Sequence, residues 1–227
     1  MSVKRRTVGR MIYELRRYTL RPGARETLIE LFEREFVEPQ EAAGMRVVGT
    51  FRDPDFPDTF TWVRAFPDME SRRAALEAFY GGPVWRAHRE AANATMETFD
   101  DVLLLRPIGP ELPAGDRPPV GAAEAPPSLY VATIHHVRDG FAGHFAREAV
   151  PALEEAGVQP IACLETEHAS NTFPQLPVRT GVNVFVWWTR FDSPEQERAV
   201  DLPVPASWVT AAPVRLRLRP TSRSSLR

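Results

Sequence analysis

The chain has one cysteine, Cys163, in 227 residues. An internal disulfide is therefore excluded, and a cytoplasmic setting is the expectation. Long apolar runs are missing too. None approaches the roughly 20 residues a membrane helix needs, so no membrane association is expected. The opening MSVKRRTVGR is basic, yet no apolar stretch of signal-peptide length follows it, which argues against a secretion signal. Charge of one sign is not in excess: the formal net charge of -2 gives no electrostatic reason for a nucleic-acid partner. Lysine is nearly absent, Lys4 standing against 27 arginines, a skew that reflects genome composition rather than mechanism. No Walker-type phosphate loop, G-x-S-x-G elbow, dinucleotide fingerprint or carboxylate pair of known spacing occurs, so cofactor-dependent phosphate chemistry is disfavoured. What is present, 43% hydrophobic and 26% charged residues, suits a soluble globular protein large enough to bury a real core.

Residues 107–127, PIGPELPAGDRPPVGAAEAPP, hold seven prolines and three glycines with no hydrophobic period, which marks a linker. Extended at about 3.1 Å per residue it would span roughly 65 Å. The segments on either side are similar in length, and they share sequence. FTWVRAFPDMESRRAA (60–75) aligns with FVWWTRFDSPEQERAV (185–200), EAAG (41–44) with EEAG (154–157), and LLLRP (103–107) with LRLRP (216–220). The offsets are 125, 113 and 113, so the second half carries extra residues before its third strand and lacks as many in the helix after it.

Each half reads as strand, helix, strand, strand, helix, strand. In the first, a strand near 11–20 turns at Pro22-Gly23 into a helix with Leu28, Leu31, Phe32 and Phe36 on its apolar side, ended by Pro39 and Gly44. Strands near 45–52 and 59–66 follow. Asp68 caps a helical stretch broken at Gly81-Gly82-Pro83 and resumed to about Asn93, and a strand near 99–106 closes the unit. The second half repeats this with strands near 129–137, 158–168, 182–191 and 213–219. Its first helix carries Phe141, Phe145 and Leu153; its second opens on a Ser193–Gln196 capping box with Pro194 and is stopped by Pro203 and Pro205. The expected fold class is α+β: two ferredoxin-like β-α-β-β-α-β repeats, 11–106 and 128–220, packing sheet on sheet as an intramolecular dimeric α/β-barrel. A basic N-terminus (1–10) and a C-terminal tail (221–227) flank them, and a cavity is expected between the sheets.

The run IYELRRYTLRPG (12–23), followed by an amphipathic helix, GMRVVGTFR (44–52), a tryptophan-bearing third strand and a final strand, resembles the NIPSNAP family over about residues 11–106. The second half fits as a diverged copy. The resemblance implies membership of the dimeric α/β-barrel superfamily, which includes cofactor-free monooxygenases, haem enzymes, lyases and non-catalytic proteins.

As a strand, residues 11–20 put Ile12, Glu14, Arg16, Tyr18 and Leu20 on one face and Tyr13, Leu15, Arg17 and Thr19 on the other. With helices on the Tyr13/Leu15 face, Glu14, Arg16 and Tyr18 would line the central cavity. Arg16 would bind an anionic or carbonyl group, Glu14 would position Arg16, and Tyr18 would exchange a proton. Equally, the three could form only a Glu–Arg pair capped by a tyrosine. The second copy replaces Glu14, Arg16 and Tyr18 with Val131, Thr133 and His135, so His135 is the expected partner of Tyr18 from the opposite wall. Trp62, Arg64, Thr133, Trp188 and His168 are the candidate substrate contacts. Trp85 and His88 read as packing and surface, and Arg215, Arg217 and Arg219 as the wet side of a strand. His135, His136, His144 and His168 match no ligand spacing, and the adjacent pair points to opposite faces, so no metal and no cofactor is expected. The functional expectation is a small organic molecule bound between the halves by a cofactor-independent acid–base enzyme (isomerase, cyclase, lyase or oxygenase) of specialised metabolism. The alternatives are a non-catalytic binding or scaffolding protein and a haem enzyme. A homodimer stays open.

Overall fold

A computed structural model describes residues 11–109, 111–113, 115–192, 196–197 and 204–227. The basic N-terminus, the Ser193 cap, Pro194 and Pro203 lie outside the described residues.

Strand β1 (Ile12–Leu20) leads into α1 (Arg25–Leu31), a π-helical turn (Phe32–Phe36) and α2 (Val37–Ala42). Of Pro39 and Gly44, the two residues expected to end the helix, Pro39 lies within α2 and the helix continues through it. Proline removes a backbone donor and crowds the carbonyl four residues earlier. The wider π turn falls just before Pro39 and accommodates both effects. Gly44, at φ +97°, then ends the helix in a conformation that favours glycine. Strands β2 (Arg46–Arg52) and β3 (Thr59–Phe66) follow, then α3 (Met69–Tyr80), α4 (Pro83–Thr95) and β4 (Met96–Pro107). Asp68 Oδ1 accepts the Ser71 backbone N–H at 2.7 Å, capping α3. Asp68→Ala should therefore lower the unfolding free energy by about 1 kcal/mol, read as a shift in the urea midpoint at unchanged slope.

The second half supplies β5 (Leu129–His136), α5 (Phe141–His144), a second π turn (Phe145–Ala149), α6 (Val150–Glu155), β6 (Ala162–Thr166), β7 (Val184–Phe191) and β8 (Val214–Pro220). All eight strands close into one antiparallel barrel in the order β1-β3-β2-β8-β5-β7-β6-β4. The seams between halves are short: Phe51 and Arg52 pair with Pro220 and Arg219, and Leu105, Arg106 and Pro107 with Thr166, Glu165 and Leu164.

The barrel interior is largely filled. Tyr13, Leu15, Phe51, Tyr130 and Trp188 are buried together with the branched side chains of the other strands. An eight-stranded barrel is just wide enough for its own side chains. The expected central cavity is thus largely replaced by a packed core, and what remains between the halves is a hollow of about 110 Å³ lined by Leu15, Leu103, Ile134 and Leu216. Leu112 of the 107–127 segment is buried in that same core. The C-terminal tail is built in as well: Thr221 N donates to Thr50 O at 2.9 Å, Leu226 N donates to Val48 O at 3.1 Å, and Leu226 is buried. Helices cover the outside, α1 to α4 over the first half and α5 with α6 over the second.

Candidate functional site

The alternation along β1 holds, but its faces are reversed relative to the expectation. Tyr13 and Leu15 point into the barrel; Glu14, Arg16 and Tyr18 point outward beneath the helices. The physical reason lies in α3, whose buried stripe contains Arg72 beside Ala75, Leu76 and Phe79. A guanidinium in that stripe needs a carboxylate on the sheet face below it. Glu14 provides it. Its carboxylate accepts from Arg16 Nη1 at 2.6 Å, Arg64 Nε at 2.8 Å and Arg72 Nε at 2.6 Å, and all four side chains have 0% exposure. One negative charge is thus surrounded by three positive ones. Burial alone would raise the Glu14 carboxyl, but the Arg64, Arg16 and Arg72 guanidiniums outweigh it and hold it far below the usual carboxylate range. Arg64 and Arg72 reach further, Arg64 Nη1 to Gln40 Oε1 at 3.3 Å and Arg72 Nη1 to Asn171 Oδ1 at 3.0 Å. Arg16 Nη2 and Arg72 Nη2 are buried without a hydrogen-bond partner among the described residues.

Arg16 passes this charge to Tyr18, its Nε donating to the phenolic oxygen at 2.9 Å. With that oxygen serving as acceptor, the phenolic proton is free to turn elsewhere. Burial pushes the Tyr18 phenol up and Arg16 opposes it; the net shift is upward, so the group is a neutral donor near pH 7. Tyr18 borders a cleft of about 500 Å³ between the sheet and the helices, walled by Tyr80, Trp85, Met96, Phe99 and Phe173, with Glu77, Asn93 and Gln175 as its polar edge. A recess of about 40 Å³ lies deeper, lined by Tyr18, Trp62 and Gln40. The Trp62 indole N–H is buried without a partner among the described residues.

The structure brings Glu14, Arg16, Tyr18, Trp62 and Arg64 together on the outer face of the first half. The other sequence candidates lie elsewhere. His135 and Thr133 sit on the outer face of the second half, where His135 Nε2 accepts from Trp187 Nε1 at 3.2 Å and its ring packs on Phe141. Burial lowers the His135 pKa to about 4, which keeps the imidazole neutral. The expected pairing of Tyr18 with His135 is corrected accordingly: equivalent strand positions face their own helices, and the filled barrel separates them. Trp188 is a barrel-core residue, and His168 borders a separate hollow of about 240 Å³ beside Arg106 and Asp139. Trp85 packs on Phe36, Phe79 and Tyr80, as read from sequence, and also forms a wall of the cleft. Arg217 lies on the wet side of β8 as expected, bonded to Glu197 at 2.8 Å and Asp55 at 2.9 Å. No three His, Cys, Asp or Glu side chains are grouped to hold a metal ion among the described residues, and no described helix is long and apolar enough to cross a membrane.

A filled antiparallel barrel with an aromatic cleft beneath its outer helices defines the architecture to be matched. The NIPSNAP family model matches residues 13–108, the first of the two halves. No curated protein sequence matches the chain. Among solved structures it is similar to a "putative monooxygenase" from Fusobacterium nucleatum subsp. nucleatum, at a TM-score of 0.58 and 10% identity over 94% of this chain and 93% of that one. A second "putative monooxygenase", from Lactobacillus acidophilus, gives 0.54 and 12% over 93% and 94%. An "anthrone oxidase-like protein" gives 0.53 and 15% over 93% and 92%. At these identities the likeness is one of fold, and it spans both halves.

Proposed function

We propose that the outer cleft of the first half binds a planar aromatic molecule bearing a carbonyl or hydroxyl oxygen, and that the protein is a cofactor-independent acid–base enzyme acting on it, with oxygenation as its reaction. The observation that carries this reading is Tyr18, a neutral phenol polarised by a buried guanidinium at the base of an aromatic-walled cleft. Such a donor stabilises an oxyanion as it forms, which is what removing a proton next to a carbonyl requires. Glu77, the carboxylate at the cleft edge, takes the proton once it turns from Arg73 Nη1, which donates to both its oxygens at 2.8 Å. The electron-rich enolate then reacts with dioxygen, and a ring CH2 becomes C=O with release of one water. The names of the structural neighbours, two of them "putative monooxygenase" and one "anthrone oxidase-like protein", agree with that class.

We also infer that the two halves are diverged copies of one unit. The offset of 113 that aligns EAAG with EEAG also relates the π turns at Phe32–Phe36 and Phe145–Ala149 and the left-handed Gly44 and Gly157. π-Helical residues are well under 1% of those in globular proteins, so two at matching positions support a common origin. The second copy has lost the Glu14–Arg16–Tyr18 set.

Dithranol, a hydroxylated anthrone, tests the reading. Purified protein without added cofactor should quench its tryptophan fluorescence on titration with dithranol and should consume dioxygen above the spontaneous rate. Neither quenching nor oxygen uptake above that of denatured protein would overturn it.

A further inference from the structure

The connection between β6 and β7 runs from 167 to 183, whereas β2 and β3 are joined by 53–58 alone. Long connections without regular structure are uncommon inside compact domains and usually serve a function. This one does not stay over its own half. It crosses to the first half's cleft, where Phe173 is 8% exposed and stacks on Tyr80 with ring centroids 5.9 Å apart. Gln175 and Leu176 continue that wall.

One amide shapes the tip. Asn171 Oδ1 accepts from Phe173 N at 3.0 Å, and Asn171 Nδ2 donates to Leu176 O at 2.9 Å. The same Oδ1 accepts from Arg72 Nη1 at 3.0 Å, and Thr172 Oγ1 donates to Met69 O at 3.2 Å. Farther on, Arg179 N donates to Val102 O at 2.8 Å. Pro174 and Pro177 restrict the backbone between these anchors. The remaining aromatic and apolar walls, Tyr80, Trp85, Met96 and Phe99, belong to helices and strands. The tip is therefore the wall whose position the barrel scaffold does not itself dictate, and it is hooked to the guanidinium that shares Glu14 with Arg16.

We propose that residues 171–176, contributed by the second half, are the specificity-determining wall of the first half's cleft. Phe173 sets how many fused rings a planar ligand can carry, and Asn171, held by Arg72, is the positioning residue that fixes Phe173. The inference rests on the ligand class proposed above and adds what selects within it. Apolar walls discriminate by size: a single methylene changes specificity by about 10- to 200-fold, and a phenyl ring is larger.

The test titrates tryptophan quenching with naphthol, dithranol and a hydroxynaphthacenequinone, which carry two, three and four fused rings. Phe173→Ala should raise the ratio of four-ring to two-ring affinity by about tenfold or more, and Phe173→Trp should lower it. Asn171→Ala should move the ratio in the direction of Phe173→Ala and also speed hydrogen exchange of the amides at 171–173, 175 and 176 in unliganded protein. If wild-type protein binds the series but the ratio stays unchanged in all three variants, the selecting wall is refuted while the ligand class stands. If wild-type protein binds none of the three, both fall together.

Discussion

Replacing Glu14 with glutamine is expected to destabilise the protein by about 3–5 kcal/mol, the usual consequence of removing one partner from a buried ionic cluster. The amide is nearly isosteric, so packing is preserved and the effect is electrostatic. Arg16, Arg64 and Arg72, all at 0% exposure, would be left facing one another without their shared carboxylate. Against a typical total stability of about 5–15 kcal/mol, that is a large share. Arg72→Met should be milder, because it lowers the surplus of positive charge rather than raising it. The sign with pH follows from the depressed Glu14 pKa. A carboxylate held far below its unfolded value of about 4.3 contributes its full stabilisation above roughly pH 5, and that contribution is lost as acid protonates the unfolded chain and then the folded one. Wild-type stability should therefore fall steeply with acid, and Glu14→Gln less so. Urea melts of the three proteins at neutral and acid pH measure this. A glutamine variant as stable as wild type would mean that the guanidiniums are balanced by something other than Glu14.

The strands and their order along the chain were legible because hydrophobic period and turn residues are local signals: β3 was expected near 59–66 and is Thr59–Phe66, and the break at Gly81-Gly82-Pro83 separates α3 from α4. The direction in which β1 faces was not legible from β1 itself. In a closed barrel under helices both faces of a strand are dry, so alternation alone does not say which one looks inward. The clue was elsewhere, in the i, i+3, i+4, i+7 spacing of Arg72, Ala75, Leu76 and Phe79, which puts a charge at the head of a buried stripe. Read together with Glu14, it would have turned the polar face of β1 towards the helices. The internal repeat identified His135 as the counterpart of Tyr18, but equivalence in a repeat gives the same face of a different half, not an opposing wall. Phe173 had no local signal at all. It lies on an irregular connection, and its place at the cleft is set by contacts with Arg72 and Tyr80 from distant parts of the chain.

Tyr18→Phe is expected to leave the ligand bound and to slow turnover by about 10²- to 10³-fold, the loss seen when one preorganised oxyanion donor is removed. The ring that packs on Phe60 and Trp62 is retained, so the cleft keeps its shape. The hydroxyl carries the chemistry. Its loss leaves Arg16 Nε without an acceptor in a dry site, a destabilisation of about 1–3 kcal/mol that should lower the urea midpoint without unfolding the protein. The separation of kcat from KM is thus the informative readout: KM for dithranol should hold while kcat drops. The pH profile supplies an independent check. Burial keeps the Tyr18 phenol protonated beyond its ordinary value of about 10, so the wild-type rate should show no alkaline loss from this group below that pH. His135→Ala should leave kcat unchanged, because His135 is enclosed beneath α5 of the other half and hydrogen-bonded to Trp187. A Tyr18→Phe enzyme with wild-type kcat would remove the phenol from the reaction, and a slowed His135→Ala enzyme of normal stability would restore an imidazole to it.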